Sequence, residues 1–180
     1  YIKNDNKKGL NYILLASMNG NVKANFAHGY LLHEGNAIQR NIKDAIHYYK
    51  LASCYNNQYA KNNLGIIYKN GYGEEIESNI GLAIVYFEEA IRQKEDYLSM
   101  YNLAIVYLYD ERIEHDFDKS INLLAKSSNK FHHSFILLCL VLIKQFGFNF
   151  KEEIKNFKEI KSDLESKICE MIDDIKSFEK

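Results

Sequence analysis

The chain has 180 residues, 47% of them apolar, and 23 Lys and Arg against 24 Asp and Glu leave a net charge of −1. A balanced charge with no basic stripe excludes the electrostatic footprint of a nucleic-acid binder. The longest apolar run, residues 135–143, is about half the length of a membrane-spanning helix, so a buried helix is expected there. Three cysteines, Cys54, Cys139 and Cys169, form an odd count at no metal-ligand spacing, which argues against a disulfide framework or a zinc site.

Taken in order, residues 5–19 read as the second helix of a hairpin whose first helix is missing. With Tyr1 rather than Met at the start, this points to a piece of a longer protein. Residues 22–35 and 42–55 form a helix pair, as do 58–70 with 79–93 and 97–110 with 117–129. Residues 132–146 begin a fifth, degenerate pair, and the segment 147–180 carries a long amphipathic helix over 150–179. Gly35-Asn36 and Asn70-Gly71-Tyr72-Gly73 stand where first helices must end. Asn41, then Ser78 or Asn79, then Asp116 or Asp118, stand where second helices must be capped, and Asn149 with Glu152 has the form of a capping box. Gly20-Asn21 and Asn56-Asn57 make the return turns between pairs.

These pairs repeat. A small residue of the first helix recurs as Gly29, Gly65, Ala104 and Cys139, and one of the second helix as Gly9, Ala45, Ala83 and Ser120. Two interleaved series with one period of 35–39 residues, read from those positions, mean a solenoid of antiparallel helix hairpins. Small residues let helix axes approach, and Tyr48, Tyr49, Tyr86, Phe87, Leu123 and Leu124 fill the space toward the next repeat.

The third hairpin carries the fullest pattern: Ala60, Leu64, Gly65, Tyr68, Gly71 and Gly73, then Ala83, Tyr86, Phe87 and Ala90. This resembles the Sel-one-like repeat, a short relative of the tetratricopeptide repeat. The hairpin before it keeps Ala45, Tyr48, Tyr49 and Ala52, the next keeps Leu103 and Tyr107, and the last keeps only Leu138 and Cys139. The resemblance spans roughly residues 5–143. It implies an all-α fold, a right-handed α–α superhelix followed by the long C-terminal helix.

No catalytic constellation stands out. Of the histidines, His28 and His33 are five apart, His132 and His133 adjacent, and His47 and His115 alone. None has a ligand-spaced partner, and the cysteines have no partnered base. Gly71 and Gly73 follow a helix and lack the lysine of a phosphate loop, so they read as a turn. No catalytic residue, cofactor site or metal site is expected.

Partner binding is the stronger prospect. In a solenoid of helix pairs the first helices line the concave face. The inward positions are Phe26, Asn62, Tyr101 and Ile136; Tyr30, Ile66, Ile105 and Leu140; and His33, Lys69, Leu108 and Ile143, with Tyr59 and Tyr109 nearby. Two readings stand for this strip: side chains packed between neighbouring first helices, or an aromatic-lined groove for a partner segment. The helix after residue 147 either caps the array or docks another subunit. The charge balance and the short apolar run argue for no nucleic acid and no membrane insertion within this segment. The resemblance implies a non-catalytic scaffold that binds other proteins within a larger complex. Its best-known eukaryotic setting is the adaptor of an ER-associated degradation ubiquitin ligase, which places the chain in the ER lumen before the cytoplasm. The abundant Asn, Lys, Ile and Tyr fit an AT-rich eukaryotic genome. The alternative is the regulatory repeat region of a larger enzyme.

Overall fold

The computed structural model of the chain describes residues 2–93 and 95–146. The helix expected after residue 147, with its Asn149 cap, lies outside the described residues. The described chain is all-α, with eight helices and one isolated bridge between Tyr72 and Ile76. It divides into two compact units, Tyr1–Asp96 and Tyr97–Lys180. The first holds α1 (Ile2–Met18), α2 (Val22–Glu34), α3 (Ile42–Cys54), α4 (Gln58–Asn70) and α5 (Ile80–Gln93). The second holds α6 (Tyr97–Tyr109), α7 (Phe117–Ser128) and α8 (His132–Phe146).

Asparagine caps four of these helices. The side-chain oxygens of Asn21, Asn41 and Asn57 accept from the backbone N–H three residues on, at 3.0, 3.0 and 2.9 Å. Asn79 and Asp116 do the same for Leu82 and Lys119, both at 2.9 Å, so Ser78 and Asp118 are not the caps. Each such bond satisfies a donor that the helix leaves without an internal partner, at about 1 kcal/mol. Asn21 and Asn57 therefore do more than turn the chain: each caps the N–H of its repeat's motif alanine, Ala24 or Ala60. At the other end of α2, Gly35 adopts the left-handed conformation (φ 75°) and its N–H bonds the Leu31 carbonyl at 2.9 Å.

Helix pairing follows a size rule. A Cβ on Gly29 would lie 2.9 Å from the Tyr49 ring, and one on Gly65 would lie 2.5 Å from the Phe87 ring, both impossibly close. In the second unit Ala104 has its Cβ, and the large side chain at the equivalent station of α7 is Leu124, smaller than a ring. Tyr49, Phe87 and Leu124 are all fully buried. Gly–Tyr, Gly–Phe and Ala–Leu are thus three solutions to one volume, as expected where interiors are close-packed. The second-helix small residues Ala45, Ala83 and Ser120 are likewise buried, and the Ser120 hydroxyl donates to the Ala104 carbonyl at 3.2 Å. Gly9 differs: it is exposed, and a Cβ at that position would meet nothing within 4 Å.

Candidate protein-interaction face

In the first unit the first helices α2 and α4 bring an aromatic cluster to the surface. Phe26, half-buried, packs against Tyr30 (ring centroids 6.4 Å apart), Tyr59 (5.9 Å) and the buried Tyr49 (6.0 Å). Tyr30 and Tyr59 are 47% and 53% exposed. The cluster therefore has a fixed underside, the Tyr49 ring held against Gly29, and an open upper side of two phenols.

The Tyr49 hydroxyl is inside the protein and must be paired, because a buried O–H without a partner costs about 1–3 kcal/mol. Asn63 of α4 donates its side-chain N–H to it at 3.0 Å, and His33 of α2 lies 3.4 Å away through Nδ1. The other ring nitrogen, Nε2, meets the Tyr72 hydroxyl at 2.5 Å, and the Arg40 guanidinium covers the Tyr72 ring at 5.1 Å. Burial pushes the Tyr49 phenol well above its ordinary range. Burial also holds the His33 pKa below 6.5, opposed by Glu34 and reinforced by Arg40.

In the second unit Tyr101 occupies the station of Phe26. Its ring lies 5.2 Å from Phe131 and 6.3 Å from His133, and His133 holds the station of Tyr59. Tyr109, 53% exposed, borders a cleft of about 260 Å³ with Phe117 and Val141. Ile105 is half-buried, and Ile136 and Leu140 of α8 are exposed.

Two expected face residues are corrected. Asn62 is 2% exposed and has its polar partners inside the fold; Leu108 is 3% exposed and packs with Ile121, Val141 and Leu142. A helical wheel gives the direction of a side chain but not how deep the neighbouring helices reach. Ile66 and Lys69 are half-buried. Tyr49, Asn63 and Tyr72, which were not expected at this face, support it from below; the signal for them was a tyrosine buried opposite a glycine. His28 is absorbed by structure: its ring stacks on Tyr48 at 3.9 Å and Nδ1 meets the Ser17 hydroxyl at 3.2 Å. Cys139 is buried, and burial pushes its thiol up to about 11, leaving it protonated at neutral pH. Among the described residues no three His, Cys, Asp or Glu side chains gather as a metal site, and no helix is long and apolar enough to cross a membrane.

The fold is similar to that of two solved structures. One is a protective antigen of uropathogenic Escherichia coli displaying an SLR fold, with a TM-score of 0.67, 20% identity and 83% of this chain covered. The other is a Sel1 repeat protein from Oxalobacter formigenes, also at 0.67, with 19% identity and 77% covered. The chain spans 33% of the first and 54% of the second. No curated protein matches it. The Sel1 repeat pattern itself matches residues 1–21, 22–54, 58–95 and 98–130, which takes in α1 and nearly all of the three hairpins that follow it. With most of its length in such repeats, whose role is that of a protein–protein interaction scaffold, the chain belongs to the Sel1 repeat family.

Proposed function

We propose that this scaffold holds a partner polypeptide on the α2–α4 face, through Tyr30 and Tyr59 gathered around Phe26. The observation that carries the reading is the combination of exposure and support. Two half-exposed phenols sit on a ring whose position is fixed by the buried Tyr49, so little side-chain freedom is lost on binding. Tyrosine is enriched where interfaces concentrate their binding energy. The scaffold acts without catalysis in this reading. The resemblance of the repeats suggests as its setting the adaptor of an ER-associated degradation ubiquitin ligase, ahead of the regulatory region of a larger enzyme. The C-terminal segment 147–180 is a second proposed docking element.

A photo-cross-linking residue placed at Tyr30 or Tyr59 should capture the same partner in native cells, and one at Lys43, exposed on α3, should not. Tyr30→Ser with Tyr59→Ser should abolish capture from a neighbouring probe while helicity and melting temperature hold. A collapse of melting would make these tyrosines core and end the proposal. Ubiquitin-ligase subunits among the captured proteins would support the adaptor setting; a kinase or synthase in the same chain would favour the alternative.

A further inference from the structure

We propose that the partner segment presents an arginine to this face, its guanidinium lying on the Tyr30 ring and paired with the Glu34 carboxylate, its aliphatic stem crossing Phe26 toward Tyr59. The proposal rests on the reading of Phe26, Tyr30 and Tyr59 as a recognition face and names the chemistry that the face selects.

The face is aromatic and, at one end, anionic. Tyr30 and Tyr59 each pack on Phe26 with their rings tilted against it, by 32° and 43°, and both phenols are about half exposed. Glu34 stands four residues after Tyr30 on α2, so it lies on the same surface one turn along, and it is exposed. Its charge acts on the Tyr49 hydroxyl, beneath the cluster, and on the His33 imidazole, which places the carboxylate on this side of the helix. Glu34 is also the last residue of α2, where the helix dipole disfavours a negative charge and favours a positive one. Among the described residues no Lys or Arg forms an ion pair with it. A cation brought by the partner meets both needs.

Elsewhere this chain shows what its tyrosines do with a cation in reach. The Arg40 guanidinium lies 5.1 Å over the Tyr72 ring, Lys50 lies 5.9 Å over Tyr68, and Lys119 lies 5.2 Å over Tyr107. Among the described residues none lies over Tyr30 or Tyr59; the exposed Lys23 stands at the opposite end of α2 from Glu34. Attraction between a cation and a ring face strengthens as the pair is desolvated, which a bound segment achieves. Arginine fits both halves of the site. Its planar guanidinium stacks flat on a ring while its edge offers paired N–H donors to a carboxylate; an ammonium is a compact, strongly hydrated point charge. The arginine stem covers apolar surface, here the Phe26 ring. An acidic side chain in the same place meets the Glu34 charge and the negative ring faces, so the site also selects by repulsion.

The test is a titration of the full chain, with isotope-labelled tyrosine rings, by Nα-acetylarginine amide, followed by NMR. Tyr30→Phe and Tyr59→Phe assign the two ring signals. Both signals should shift saturably. The citrulline analogue, equally long but with a neutral urea head, should leave them in place, and the lysine analogue should bind more weakly. Glu34→Gln should raise the half-saturating concentration about threefold, the worth of an exposed ion pair. Tyr30→Leu should abolish the Tyr59 shift while helicity holds. No saturable shift at the solubility limit, an equal response to citrulline, or an unchanged half-saturation in Glu34→Gln overturns the proposal; equal binding of lysine overturns the choice of arginine. The recognition face is judged separately. Capture from Tyr30 with no response to the arginine probe leaves the face standing and removes its chemistry. A response to the probe with no partner captured removes the face as a partner site.

Discussion

Phe26 and Tyr101 hold the same station in two first helices, each touching the second residue of a later first helix: Tyr59 in one unit, His133 in the other. Beneath them the units part. Under Phe26 lies Tyr49, whose hydroxyl recruits Asn63, His33 and, through His33, Tyr72. The equivalent of Tyr49 in the second unit is Leu124, which has nothing to hydrogen-bond. The difference begins with one carbon atom. Gly29 leaves room for an aromatic ring and Ala104 does not, so the first unit gains a buried hydroxyl and must surround it with partners. A packing choice thereby becomes a polar network, and the network gives one unit a titratable element at its surface.

The comparison can be broken most forcefully at the rings. Phe87→Ala should cost about 3–5 kcal/mol by chemical denaturation, because it opens a cavity against Gly65, whereas Leu124→Ala should cost about 2–5 kcal/mol. A smaller loss for Phe87→Ala than for Leu124→Ala would show that the glycine-bearing hairpin closes up around the gap.

Tyr49→Phe keeps the ring and removes the hydroxyl. It should cost about 1–3 kcal/mol, since Asn63 and His33 both lose a buried partner. A neutral result in a melting experiment would mean that water takes the hydroxyl's place.

The smallest effect, and the one expected to be equal in both units, is at the caps. Asn57→Ala and Asp116→Ala should each lower stability by about 1 kcal/mol. A markedly larger loss for Asn57 would show that its cap also fixes Tyr59, two residues on.

The helices were legible because three local signals agreed: period, small-residue series and cap chemistry. The predicted ends of the first helices fall within one residue of those observed. Asn21 and Asn57 were legible only as turns, since asparagine serves turns and caps alike. The deciding signal was its position three residues before the motif alanine. Of the residues expected on the inward face, Phe26, Tyr30 and Tyr59 come together at the surface, while Asn62 and Leu108 sink into the core. The contacts of His33 with Tyr49 and Tyr72 were not legible, because those partners are 16 and 39 residues away, one in α3 and the other in the α4–α5 loop. Nothing in a single hairpin shows that they meet.

The pairing of Gly65 with Phe87 also sets the unit in which such a chain can be cut and rejoined. A chimera that transplants α4 and α5 together carries its own fit, ring and vacancy in one piece. One that grafts α5 behind α6 brings the Phe87 ring onto the Cβ of Ala104, where the native helix placed a leucine. A whole hairpin is thus the smallest piece that carries a matched pair, and the pair differs from one hairpin to the next: Gly–Tyr, Gly–Phe and Ala–Leu at the same joint.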